Sequence, residues 1–267
     1  MSLATATKRV EHAFASGKTF VAYITGGDPS PHFTVPLVQA LERGGAGLIE
    51  LGVPFSDPIA DGPVIQRASE RALRAGITLP RLLQDVREIR RTSEIPIVLF
   101  SYLNPLLRYG FERLAQEASA AGVDGVLLTD LSVEEAEGPV SQLRRFGLDT
   151  VFLAAPTSSD RRLQLVAEHS SGFIYLVSRT GVTGEREKVS DSVRPLIERL
   201  RPLTDLPLAV GFGISTPAQV KEVAAVADGI VVGSALVKCI EQNAGTPDLP
   251  ARVEAFTKFL TEPLRSA

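Results

Sequence analysis

A carboxylate that interrupts an apolar run is the first sign of chemistry in this chain. The run opens the stretch from Leu48 to Gln66 and has the character of a buried parallel strand, Leu48-Ile-Glu-Leu51, with Glu50 inside it. Burying an ionised carboxylate without partners is so unfavourable that the group must be paired, solvated within a pocket, or shifted in pKa. Beyond Gly52, three prolines (Pro54, Pro58 and Pro63) forbid continuous helix or strand and stiffen a loop that carries Ser56, Asp57 and Asp61. One acid therefore ends a strand and a second ends the loop above it. That pairing suits acid/base chemistry on a substrate held between them.

Two further loops have the composition of an anion site. Gly211-Phe212-Gly213 follows one apolar run, and Gly233-Ser234 follows another directly before a helical segment. Glycine lets a ligand approach the backbone, and a helix N-terminus offers unpaired N–H groups, so the two loops together suit a phosphate. Neither holds a Lys or Arg, so backbone amides would carry the binding; taken singly, each also reads as a tight turn, with Ser234 as a helix N-cap. The polar segment from Ser178 to Asp191 is longer than the roughly two to six residues usual for such a connection. Its composition admits either a closing lid or a solvated loop. Tyr23, Phe100 and Leu127 lie at or near the ends of apolar runs, where they are either core or an apolar wall for a flat aromatic substrate.

The elements that must position these groups alternate regularly. Strands are predicted at Thr19–Thr25, Leu48–Leu51, Pro96–Phe100, Gly125–Leu128, Thr150–Leu153, Phe173–Val177, Leu208–Val210 and Gly229–Val232. Helices are predicted at Val35–Arg43, Val64–Ala75, Leu79–Arg91, Phe111–Ala121, Val133–Phe146, Arg161–His169, Val193–Leu203 and Pro217–Ala225, with 235–241 and 251–264 finishing the chain. Residues 4–15 would form a leading helix that plugs one end. Eight strands alternating with helices imply a parallel sheet closed into a (β/α)8 TIM barrel, a single domain over residues 1–267, with the active site at the C-terminal strand ends. Glu50, Asp61, Asp130, Tyr175, Gly211 to Gly213 and Gly233-Ser234 all fall at that end. An open dinucleotide-binding sheet would carry a Gly-x-Gly-x-x-Gly turn after its first strand, and Gly26-Gly27-Asp28-Pro29 does not match it.

Composition narrows the function classes. A formal charge of -3 provides no basic field for nucleic acid, and no run approaches the roughly 18 apolar residues of a membrane span, so a cytoplasmic chain is expected. Cys239, the only cysteine, sits in an apolar run and reads as an inert buried thiol. His12, His32 and His169 lack metal-ligand spacing, and no metal site is expected.

The segment Ile49-Glu-Leu-Gly-Val-Pro-Phe-Ser-Asp-Pro-Ile-Ala-Asp-Gly-Pro-Val-Ile-Gln66 resembles the signature of the tryptophan synthase alpha chain family. Further matching segments are Thr25 to Pro29, Tyr102 to Pro105, Ala155 to Ser158, Tyr175 to Gly184, Val210 to Ser215 and Ala227 to Ala235. The resemblance implies a barrel that cleaves indole-3-glycerol phosphate to indole and glyceraldehyde 3-phosphate. By position it implies Glu50 as general acid/base, Asp61 as the acid that binds the indole N–H, and Tyr175 as the residue that helps hold Glu50. Gly184, Phe212, Gly213, Gly233 and Ser234 would form the phosphate site, and Thr183 would order with Asp61 on closure. No cofactor is implied on this chain; the implied partner is a pyridoxal-phosphate beta chain in an alpha2-beta2 assembly. Ser132 departs from the family's usual proline, at a segment near the partner surface. Two other readings stay open at this point: a stand-alone lyase, and a non-catalytic regulatory subunit that binds phosphate ligands.

Overall fold

The computed structural model describes residues 9–15, 17–177, 189–211 and 213–265. Nine parallel strand segments form one sheet: β1 (Thr19–Thr25), β2 (Leu48–Gly52), β3 (Ile97–Ser101), β4 (Gly125–Leu128), β5 (Asp149–Val151), β6 (Leu153–Ala154), β7 (Ile174–Val177), β8 (Leu208–Gly211) and β9 (Gly229–Val232). Their order is β5-β4-β3-β2-β1-β9-β8-β7-β6. β5 and β6 are the expected strand at 150–153, divided at Phe152. β5 bonds to β4 and β6 to β7, and the Phe152 carbonyl accepts the Tyr175 N–H at 3.0 Å. The nine segments thus fill eight strand positions and the sheet closes into the expected barrel.

Both faces of such a sheet are covered, so its strands are apolar throughout and the two-residue period separates interior from shell. Phe20, Ala22, Ile24, Ile49, Leu51, Ile97 and Leu99 face outward into one large core shared with the helices. Val21, Leu48, Val98, Leu127, Val151, Phe173, Ala209 and Val231 point inward and fill the barrel. The leading helix α1 (Arg9–Ala15) closes the lower end of that interior: Val10 is fully buried in the same cluster, and the Phe14 ring lies 5.5 Å from Phe173.

The helices that carry the upper face are α2 (Thr34–Gly44), α3 (Pro63–Arg74), α4 (Leu79–Ile89), α5 (Leu103–Tyr109), α6 (Phe111–Ala121), α7 (Glu137–Arg145), α8 (Asp160–His169), α9 (Val189–Leu200), α10 (Pro217–Ala224), α11 (Ser234–Asn243) and α12 (Leu249–Thr261). Three differ in kind from the sequence reading. α5 is a short extra helix whose first N–H, from Leu103, donates to Asp130 Oδ1 at 2.7 Å; Asp130 thereby has a structural task. The helix expected at 133–146 is a 3-10 turn at Val133–Glu135 followed by α7, because Pro139 has no N–H and its ring would clash with the carbonyl four residues earlier. Likewise α9 gives way to a 3-10 turn at Arg201–Leu203, which contains Pro202. No described helix is long and apolar enough to cross a membrane. Cys239 is half-buried, packed against the shell core, and burial pushes its thiol up.

Polar ties at the lower end are concentrated on Asp124, which is fully buried. Its carboxylate accepts from Arg90 Nη2 at 2.8 Å, from the Ile97 N–H at 2.8 Å and from Arg9 Nη1 at 3.1 Å. One side chain therefore joins α1, the end of α4 and the starts of β3 and β4. Removing it leaves Arg90 enclosed without its counter-charge. Asp124→Ala is expected to cost about 3–5 kcal/mol, read as a lower urea midpoint in equilibrium unfolding; a loss below about 1 kcal/mol would reduce the cluster to a solvated surface pair.

Candidate active site

Two residues beyond the inward layer, the same strands reach the upper mouth, where Tyr23, Glu50, Phe100, Thr129, Leu153, Tyr175 and Gly233 line a cavity of about 730 Å³. In register, Tyr23 of β1 stands beside Glu50 of β2. The Tyr23 and Phe100 rings meet edge to face at 5.0 Å, forming one apolar wall that Val64 and Ile65 of α3 extend. Both tyrosines depend on glycine. A Cβ on Gly52 would lie 2.4 Å from the Tyr23 hydroxyl oxygen, and one on Gly211 would lie 2.1 Å from that of Tyr175.

The two acids have unlike surroundings. Glu50 is 1% exposed, and neither carboxylate oxygen has a hydrogen-bond partner among the described residues. Burial alone pushes it up to about 8. Asp61 is part-buried at the end of the proline-rich loop, and burial, opposed by a hydrogen bond from Tyr102, leaves it near 6. The Tyr102 hydroxyl donates to Asp61 Oδ2 at 3.0 Å and accepts the Ala60 N–H at 2.9 Å, so Tyr102 fixes the loop around the acid. Gln66 of α3 adds a bond from its side-chain amide to the Asp61 carbonyl at 2.9 Å. At neutral pH the site holds a protonated Glu50 and a largely ionised Asp61 in one cavity.

The anion loops arrive where expected. Gly213, Ile214 and Ser215 line one side of the cavity, and Gly233 with Ser234 lines another at the start of α11. Gly213 has φ of 71°, a backbone conformation that suits glycine. The N-cap of α11 is Gly233, with Ser234 the first helical residue and not the cap its type suggested, so no cap side chain competes for the first-turn amides.

Of the residues singled out in the sequence, Tyr23, Glu50, Asp61, Phe100, Tyr175, Gly213, Gly233 and Ser234 converge on this cavity. Leu127 does not: it is fully buried in the inward layer below the mouth, where its strand position and apolar bulk put it in the core. Tyr175 lines the cavity but makes no hydrogen bond to Glu50; its hydroxyl is held well above the usual tyrosine range by burial first, then by Glu50 and Asp61. Thr183, Gly184 and Phe212 lie outside the described residues, as does most of the segment read as a lid. Sequence reasoning missed Tyr102, although it stands in the Tyr102 to Pro105 motif, and it missed Lys238, one helical turn after Ser234 on the cavity wall. Among the described residues no group of His, Cys, Asp or Glu could hold a metal ion.

The Glu50 environment makes a stability prediction. Between the ordinary value of 4.5 and the folded value near 8, the folded chain keeps a proton that the unfolded chain has released, so stability falls as pH rises through that window and levels off above it. Glu50→Gln removes this dependence. The variant is expected to exceed the parent in urea midpoint at pH 8 and to show a flatter profile across the window; an unchanged slope would mean that Glu50 is solvated.

The chain matches the family model described as tryptophan synthase alpha chain over residues 11–262. It is 63% identical over 243 residues to the tryptophan synthase alpha chain of Solibacter usitatus (strain Ellin6076), covering 91% of each chain. It is 54% identical over 243 residues to that of Geotalea uraniireducens (strain Rf4), again covering 91% of each. Among solved structures, it superposes on tryptophan synthase subunit alpha from Legionella pneumophila str. Paris with a TM-score of 0.89 at 36% identity, covering 97% of this chain and 99% of that one. On a chain from the tryptophan synthase a2b2 complex of the hyperthermophile Pyrococcus furiosus, the TM-score is 0.84 at 41% identity, covering 93% and 98%. A closed barrel with unlike acids at its mouth, matched along nearly its whole length, belongs to the tryptophan synthase alpha chain family, the lyase subunit of tryptophan biosynthesis.

Proposed function

We propose that the chain cleaves indole-3-glycerol phosphate by a retro-aldol reaction at the cavity just described, and that Glu50 and Asp61 carry the chemistry. The observation that supports this most directly is the pair of carboxyl groups in one apolar cavity, Glu50 buried without a partner among the described residues and Asp61 held by the Tyr102 hydroxyl. Protonated Glu50 gives its proton to the indole carbon that bears the side chain. Positive charge then develops on the ring nitrogen, whose N–H donates to ionised Asp61. Glu50, now a carboxylate, takes the proton of the adjacent side-chain hydroxyl as the carbon–carbon bond breaks, releasing indole and the aldehyde. No net proton is gained or lost. Tyr102 holds Asp61 for this role, Tyr23 and Phe100 flank the ring, and Tyr175 shapes the pocket beside Glu50.

The phosphate end is formed by Gly213, Gly233 and Ser234, with Phe212, Thr183 and Gly184 expected to complete it. The chain acts as a single domain, in the cytoplasm, with a tryptophan synthase beta chain as partner. A two-chain assembly is supported by the a2b2 complex of the Pyrococcus furiosus relative. Members of this family need no cofactor of their own on the alpha chain, and pyridoxal phosphate would be held by the beta chain.

The deciding experiment is indole release from indole-3-glycerol phosphate, with and without a beta chain. Slow release that the partner accelerates is the expected result. Glu50→Gln should lose at least about 10³-fold in kcat and Asp61→Asn about 10²-fold or more; near-parental turnover in either variant would remove that residue from the reaction. The kcat/KM profile should be bell-shaped with limbs near 6 and 8, since activity needs Asp61 ionised and Glu50 protonated. Asp61→Asn should lose the acid limb only. A rate that keeps climbing past the upper limb would exclude Glu50 as the proton donor.

A further inference from the structure

The charges around the cavity are unevenly placed. Among the described residues its charged lining groups are Glu50, Asp61 and Lys238, so one described cation faces two acids across about 730 Å³. Lys238 follows Ser234 by four residues on α11, a spacing that puts both on one face of the helix. That face cannot easily turn away. Val237 is fully buried against Tyr23 and Ala68, and Glu241 is clamped from α3 by Arg67 (Nε 2.7 Å, Nη2 2.8 Å) and by Arg71 Nη1 at 2.7 Å.

The same clamp accounts for the neighbouring cations. Arg71 turns its remaining donors to Asp28, at 2.7 and 3.0 Å, and Arg67 is bidentate on Glu241. Lys238, by contrast, is exposed at the rim and no hydrogen bond or ion pair engages it among the described residues. A phosphate monoester carries a charge of about -1.5 to -2 at neutral pH. Its charge faces the carboxyl groups of Glu50 and Asp61 across the cavity, so a cation at the phosphate end adds an attraction that neutral amides lack. Peptide dipoles at the start of α11 supply only a fraction of a charge.

We propose that Lys238 is the counter-charge for the substrate's phosphate and selects a phosphorylated ligand over the same molecule without it. This rests on the lyase reading above and adds a charge to the backbone amides expected to carry the phosphate. The ammonium group would reach back along α11 toward Ser234, adding charge where Gly213, Gly233 and Ser234 offer only neutral donors.

The test compares Lys238→Met and Lys238→Arg with the parent in two measurements. In steady-state kinetics on indole-3-glycerol phosphate, Lys238→Met should raise KM about fivefold or more with a much smaller change in kcat, and Lys238→Arg should restore most of the loss. In a direct titration with glycerol 3-phosphate, which needs no turnover, affinity should fall by a similar factor, while affinity for indole stays the same. The parent's affinity should also weaken with salt more steeply than that of Lys238→Met. Unchanged glycerol 3-phosphate affinity in Lys238→Met overturns the proposal, whatever the turnover. If the parent fails to cleave indole-3-glycerol phosphate but still binds glycerol 3-phosphate through Lys238, the lyase reading falls and the counter-charge stands.

Discussion

The whole arrangement depends on the two-residue alternation of strands closed into a ring. Once the inward layer of Val21, Leu48, Val98, Leu127, Val151, Phe173, Ala209 and Val231 is packed, the next inward position on each strand is settled. Those positions are Tyr23, Glu50, Phe100, Thr129, Leu153, Tyr175, Gly211 and Gly233. A slip of one residue would swing Glu50 into the apolar shell beside Ile49 and Leu51's present neighbours, where a carboxylate finds neither water nor a partner. The aim of the acid is thus set by hydrophobic packing below it. Local loop structure has little part in it.

Asp61 is held by the opposite means. It sits on a loop, and its position comes from polar contacts: the Tyr102 hydroxyl, the Gln66 amide and the start of α3 directly after it. α3 is in turn tied to α11 through Arg67, Arg71 and Glu241, and to the loop after β1 through Asp28. The two arginines hold Glu241 down to about 2, so the tie stays charged well below the usual carboxylate range. The helix behind the loop acid and the helix that begins after Gly233 are therefore tied to each other by ion pairs.

Much of this was legible in the sequence because parallel barrels write their strands as short apolar runs and their helices at a different period. Glu50 stood out because a charged residue inside such a run has few bland explanations, and the glycine loops stood out by their place after the seventh and eighth runs. What escaped notice shares a physical cause. Tyr102 and Gln66 reach with their side chains from one element to another, Lys238 lines the cavity from a helix face, and such placement is invisible to spacing within an element. Leu127 shows the converse: its strand was correctly read, but whether an inward side chain meets the cavity or the layer beneath depends on stagger between strands, which periodicity does not contain. The break at Phe152 was hidden because a strand that changes partners midway keeps the same apolar composition throughout.

That break has a consequence for how the sheet ends. An open sheet exposes two rows of unsatisfied backbone groups to which another chain can add. Here both rows belong to a single strand, with Asp149–Val151 facing one neighbour and Leu153–Ala154 the other. The seam is joined by the covalent chain through Phe152, while the first and last strands, β1 and β9, pair in parallel on the far side of the ring. With β4 holding one half and β7 the other, each half offers only two or three residues of edge, too short for a second molecule to nucleate a cross-β stack.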